Sequence, residues 1–148
     1  MRPRVAVVDD DIENCQALSE LLTTEGFEVA VFEGGEAVWS AMTNGQEQPR
    51  VVVADVRMPG LDGVGLLRRI RTRFPDIPVV LVSAFAEEAV WSEALAAGAV
   101  DVFPKPIRAS ALIPALRAAV GDRPGPERPI GDNPDPRPTG ITTRRETE

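Results

Sequence analysis

The 148-residue sequence contains no histidine, one cysteine and one lysine. The missing imidazole excludes histidine general bases, Ser-His-Asp triads and most zinc or copper sites. A single thiol, Cys15, excludes an internal disulfide and a thiolate metal cluster. No apolar run approaches the roughly 20 residues of a membrane-spanning helix. Met1-Arg2-Pro3-Arg4 and the four apolar residues after it are too short for a secretory signal. A cytoplasmic location without a membrane partner is therefore expected. Sixteen basic side chains stand against 23 acidic ones, a net charge of −7. That balance argues against a surface that binds nucleic acid or anionic membrane by charge alone.

Apolar residues make up 43% of the chain, enough for a packed core. They end abruptly. Residues 121–148 hold six prolines and four glycines with almost no apolar side chains. Such a stretch cannot offset a chain entropy of roughly 1–2 kcal/mol per residue. It reads as a disordered linker or tail, with residues 1–120 as the folded domain. Five arginines against six acids give the tail −1, so the body carries −6.

The body alternates. β-Branched runs at Val5–Val8, Phe27–Phe32, Val51–Ala54, Val79–Val82 and Val100–Phe103 recur about every 24 residues, one βα unit with tight loops. Helical patterns fill the gaps at Ile12–Leu22, Glu36–Met42, Leu66–Phe74, Glu87–Ala97 and Ala109–Val120. In the first, Ile12, Cys15, Leu18, Leu21 and Leu22 share a face; in the fourth, Val90 pairs with Ala94 and Trp91 with Leu95. The first, third and fourth runs are nearly all apolar, as parallel strands buried on both faces should be. The expectation is an α/β fold: a doubly wound, five-stranded parallel sheet of order 2-1-3-4-5 with five flanking helices.

Ligands of such sheets bind beyond the carboxyl ends of the strands, at the topological switch point. Those ends are polar here. The first run closes in Asp9-Asp10-Asp11, the third in Asp55 and the fourth in Ser83, and the fifth leads into Lys105. Each residue alone has an ordinary explanation. Asp10 or Asp11 suits a helix N-cap, Asp55 a turn, Ser83 a loop hydroxyl and Lys105 a solvated charge. Their joint placement has none. Two like charges ~4 Å apart repel by about 1 kcal/mol in water and about 4 at an effective dielectric of 20. Three carboxylates against one ammonium would welcome a hard divalent cation such as Mg²⁺. The one lysine among fifteen arginines suggests a site that needs a compact ammonium.

At these residues the chain resembles the receiver domains of two-component response regulators, of the FixJ/NtrC-like kind. The matching segments are Val7-Val8-Asp9-Asp10-Asp11, Asp55-Val56-Arg57-Met58-Pro59-Gly60-Leu61-Asp62-Gly63, Leu81-Val82-Ser83-Ala84-Phe85, Gly98-Ala99 and Lys105-Pro106. Their order covers residues 4–120. The resemblance implies that Asp55 accepts a phosphoryl group from the phosphohistidine of a sensor histidine kinase. It implies Mg²⁺ bound by Asp10 and Asp55, by Asp9 mainly through water, and by the backbone carbonyl of Arg57. Lys105 and Ser83 would engage the phosphoryl oxygens, Gly60 and Gly63 would serve a φ-permissive loop, and Lys105-Pro106 would be cis. The protein would not be an enzyme, although it would assist its own phosphorylation and dephosphorylation. A homodimer through the face of the fourth and fifth helices belongs to the same expectation.

Two positions depart from that pattern. The aromatic residue expected three positions before the lysine is Val102, and Phe103 should face the opposite way. Pro114 lies within the last helical pattern, so that helix either starts late, near Ser110, or kinks. Alternatives are a non-phosphorylated docking module, disfavoured by the complete residue set, and an aspartyl-phosphate phosphatase, disfavoured by the absence of a second acid in Asp55-Val56-Arg57. Arg68, Arg69, Arg71 and Arg73 read as a solvated helix face, Cys15 and Trp91 as packed, and Trp39 as partly exposed. Thr143-Arg144-Arg145-Glu146 is a capping-box signature. It resembles the opening of the helix-turn-helix domain of FixJ-type transcription regulators. The chain would then be a receiver and linker lacking their DNA-binding domain, without direct nucleic-acid binding of its own.

Overall fold

The computed structural model describes residues 2–84 and 88–121. The linker reading beyond Gly121 and the Thr143 capping box lie outside them. Five strands alternate with five helices: β1 (Arg4–Val8), α1 (Ile12–Thr24), β2 (Glu28–Phe32), α2 (Gly35–Thr43), β3 (Val51–Asp55), α3 (Gly63–Arg73), β4 (Val79–Ser83), α4 (Glu88–Ala96), β5 (Asp101–Pro104) and α5 (Ala109–Ala119). All neighbouring strands are parallel, in the order β2-β1-β3-β4-β5. This is the expected doubly wound sheet.

The strand period of two divides the core into two layers. Ala6, Val8, Val52, Ala54, Val79 and Leu81 pack with side chains of α2, α3 and α4. Val5, Val7, Val51, Val53, Val80 and Val82 face α1 and α5 instead. β3 and β4 are buried along their whole length. Each fully buried aliphatic side chain contributes about 1.5–3 kcal/mol, so these strands fix the sheet and everything at its ends.

Several side chains differ from the sequence expectation. Ile12, read as part of the apolar face of α1, is 44% exposed because it occupies the first turn, beyond the sheet edge that Cys15, Leu18 and Leu22 cover. Of the two α4 pairs, Leu95, which shares a face with Trp91, is 50% exposed, whereas Ala94, paired with Val90, is buried. Val100 is exposed and β5 starts one residue later, at Asp101, after the positive-φ turn at Gly98. α3 begins three residues earlier than its apolar pattern, at Gly63, because Asp62 caps it by accepting from the Gly65 N–H at 2.8 Å. α5 begins at Ala109 and runs through Pro114. Pro114 has no N–H for the Ser110 carbonyl, but both residues are exposed to water, which can serve it.

At the end of the sheet opposite the aspartates, Glu47 is buried and forms a two-pronged pair with Arg4, Nε to Oε2 at 2.5 Å and Nη2 to Oε1 at 3.0 Å. Arg4 also reaches Glu28 at 3.1 Å. Nothing in the polar segment around Glu47 signals burial. Removing one partner of a buried pair strands the other charge. Arg4 keeps some access to water, so Glu47→Ala should cost about 2–3 kcal/mol, below the roughly 3–5 of a fully buried pair. Urea unfolding of the two proteins measures it; an unchanged midpoint would show that the pair contributes nothing net.

Candidate functional site

The site is assembled by four strand ends, those of β1, β3, β4 and β5, and by the starts of α1 and α3. Asp9 follows β1 directly, and its backbone N–H donates to the Phe32 carbonyl at 3.1 Å, which carries the pairing one residue beyond β1. Its carboxylate Oδ1 accepts from the Asp11 N–H at 3.0 Å. Asp11 in turn caps α1, accepting from the N–H groups of Glu13 at 3.0 Å and Asn14 at 3.4 Å. Of the two capping candidates, Asp11 is therefore the cap. That leaves Asp10 exposed at the rim.

Asp55 ends β3, beside β1 across the register pair Val8↔Ala54. Its Oδ1 accepts from the Arg57 N–H at 3.2 Å. The loop after it is constrained by close approach. A Cβ on Gly63 would lie 2.3 Å from the Asp55 carbonyl oxygen, so only glycine fits there. Gly60, by contrast, has φ 74°. The expectation of a φ-permissive pair thus holds for Gly60, whereas Gly63 is required by space.

Ser83 ends β4 and is fully buried, and its carbonyl accepts from the Lys105 N–H at 2.8 Å. Lys105 lies just beyond β5, before a cis bond to Pro106. Its ammonium crosses the front of β4 and donates to Asp9 Oδ2 and to Asp55 Oδ2, each at 3.0 Å.

Carboxylate oxygens of Asp9, Asp10 and Asp55 lie within 4.8 Å of one another. Burial pushes Asp55 above the usual carboxylate range, and Lys105 pulls back only part of that rise. Burial alone would lower the Lys105 ammonium, but its two carboxylate partners outweigh burial and raise it. One ammonium thus serves two buried anions while a third stands at the rim. The excess of hard oxygen donors over cations fits Mg²⁺ in both charge and ligand type.

The structure brings together Asp9, Asp10, Asp55 and Lys105 in direct or near contact. Ser83 is beneath them at the end of the adjoining strand, and the Arg57 backbone borders Asp55 while its side chain is exposed. Val102 is buried with the α2–α4 layer and Phe103 packs on the α1–α5 layer, the opposite orientations expected. The α3 arginines do more than meet solvent: Arg68 reaches Glu93 of α4 at 3.3 Å, and Arg69 reaches Glu36 of α2 at 3.5 Å. Two residues that support Asp9 escaped the sequence reading. Asn14 Nδ2 lies 3.5 Å from Asp9 Oδ2, and the Cys15 thiol donates to the Asp9 carbonyl at 3.3 Å. Both lie one helical turn past the aspartates, a spacing that could have marked them.

The family model described as the response regulator receiver domain matches residues 5–117. The chain belongs to that family and is a receiver domain of two-component response regulators. The response regulator protein FleR of Pseudomonas aeruginosa is 38% identical over 128 residues, 86% of this chain and 27% of FleR. The DNA-binding transcriptional regulator NtrC of Klebsiella pneumoniae is 38% identical over 100 residues, 68% of this chain and 21% of NtrC. The chain thus spans about a quarter of the length of these curated relatives. Among solved structures, FixJ-N superposes with TM-score 0.74 at 30% identity, covering 82% of this chain and 95% of FixJ-N. The receiver domain of a Clostridium thermocellum response regulator superposes with TM-score 0.76 at 26% identity, covering 80% and 94%. Among the described residues no helix is long and apolar enough to cross a membrane.

Burial, reinforced by the Asp9 charge, pushes the Cys15 thiol from its ordinary 9.0 up to about 11. Between those pH values the unfolded thiol has released its proton while the folded one keeps it. The folded state then binds more protons, so stability falls as pH rises through that window. Melting temperatures measured from pH 8 to 11 should therefore drop less steeply for Cys15→Ala than for the parent chain. Parallel curves would show that Cys15 titrates normally in the fold.

Proposed function

We propose that Asp55 accepts a phosphoryl group from the phosphohistidine of a sensor histidine kinase, and that the modified domain switches its binding to partners. The observation that carries this reading is the placement of Lys105 Nζ, 3.0 Å from both Asp9 Oδ2 and Asp55 Oδ2. A carboxylate oxygen of Asp55 attacks phosphorus, the P–N bond breaks, and its electron pair returns to the donor imidazole. The product is a mixed carboxylic–phosphoric anhydride. Lys105 turns its ammonium to the phosphoryl oxygens, and the Ser83 hydroxyl donates a hydrogen bond to one of them. Asp10 and Asp55 directly, Asp9 mainly through water, and the Arg57 carbonyl would hold Mg²⁺, which supplies neutralisation of the charge gathered on the transferring group. Positioning and charge carry the chemistry, so the absence of histidine here is no obstacle.

The chain acts in this reading as a phosphoacceptor that assists its own phosphorylation and dephosphorylation, in the cytoplasm. Its relatives NtrC and DctD are named as transcriptional regulators, which favours a transcriptional output for the protein that bears this domain. Exposed Leu95 of α4 supports the face of α4 and α5 as a homodimer surface.

Incubation with Mg²⁺ and a small phosphodonor, followed by intact-mass spectrometry, should give one phosphoryl adduct on the parent chain. Asp55→Asn should give none, because an amide is neither anion nor nucleophile. Labelling of that variant at full stoichiometry would move the acceptor elsewhere. Asp10→Ala should lose Mg²⁺ affinity in calorimetry while its metal-free melting temperature rises slightly, since one of three crowded anions is gone. A large fall in metal-free stability would instead make Asp10 a structural residue.

A further inference from the structure

Phosphoryl acceptance draws the Lys105 ammonium toward new oxygens and loosens its hold on the carboxylates it already bridges. Asp9 Oδ2 is the oxygen on which that hold weakens, and the Asp9 side chain is only 8% exposed. Its Oδ1 is already engaged by the Asp11 N–H at 3.0 Å. A buried carboxylate oxygen whose donor weakens carries a desolvation penalty, so a second donor beside it favours the handover.

We propose that Asn14 is a positioning residue for this step: its carboxamide N–H takes over Asp9 Oδ2 as Lys105 turns to the phosphoryl group. The inference rests on the reading of Asp55 as the acceptor. Asn14 Nδ2 stands 3.5 Å from Asp9 Oδ2, the same oxygen that Lys105 holds at 3.0 Å. The amide nitrogen faces the carboxylate because the amide oxygen would be repelled there. A closure of about half an ångström brings this contact to an ordinary N–H···O length. The approach is already set up: α1 is tied to Asp9 next door, where the Cys15 thiol donates to the Asp9 carbonyl at 3.3 Å.

A neutral amide suits the role better than a second cation. It neither displaces Lys105 in the resting state nor competes with a metal ion, yet it remains within reach when Lys105 departs.

Because Asn14 is exposed and its cap bond to Asp11 uses the backbone N–H, side-chain replacement spares the fold. The full chain and its Asn14→Leu and Asn14→Gln variants can be titrated with beryllofluoride, a phosphoryl mimic, at saturating Mg²⁺ in a calorimeter. Asn14→Leu should bind it about three- to tenfold more weakly, the loss of one long, partly solvated hydrogen bond of ordinary strength. Asn14→Gln, which keeps the amide, should recover most of that loss. Mg²⁺ affinity without beryllofluoride and the melting temperature should stay at parent values in both variants. Undiminished beryllofluoride binding by Asn14→Leu would overturn the proposal. So would an equal loss of Mg²⁺ affinity or a lower melting temperature, which would make Asn14 a structural residue. A parent chain that takes neither beryllofluoride nor phosphoryl would fail one step earlier, at the acceptor reading itself.

Discussion

One ammonium bridging two buried carboxylates is the constraint on which the site depends. Lys105 follows β5, whereas Asp9 follows β1 and Asp55 ends β3. The lysine therefore spans the end of β4 to reach both, a reach that the strand order 2-1-3-4-5 sets. The β-branched runs in β1, β3 and β4 bury both sheet faces and so hold the strand ends in register. Packing energy is in this way converted into the placement of three charges to within a hydrogen-bond length.

That placement is electrostatically incomplete, and its incompleteness matters. With Asp10 included, three anions share one cation. Burial makes the ionised form of Asp55 costly, and Lys105 offsets only part of that cost. A fully satisfied network would be inert, because any new ligand would have to break it. Here a divalent cation or a phosphoryl group adds partners that the resting site lacks. The geometry therefore favours arrival of both without a large rearrangement of the backbone.

The sheet, its order and the converging aspartates were legible because they depend on period and position. Runs such as Val51–Ala54 and Val79–Val82 have one stable solution, and polar residues that close them must fall at one edge. What escaped depends on particular side-chain reach. Glu47 is buried through a fork with Arg4, 43 positions away in sequence. Ile12 fits the apolar face of α1 by period, yet it stands beyond the part of the sheet that α1 covers. Gly63 looks like a turn glycine, but a close approach to the Asp55 carbonyl fixes it. Such facts follow from distances between elements, and a linear pattern does not encode those.

The two ends of the sheet show why the only lysine stands where it does. At the far end, Arg4 grips Glu47 with two nitrogens of a planar fork and Glu28 with a third. Those bonds are parallel and mutually fixed, which suits a contact that holds the fold. At the aspartate end, a guanidinium locked in that manner would bind a carboxylate too specifically to let go. A compact ammonium on a flexible stem can exchange one oxygen partner for another by rotating, with little change in its charge environment. Under the proposed phosphoryl transfer, the division of cations between the ends would follow the work of each: arginine where the pair stays closed, lysine where it would open.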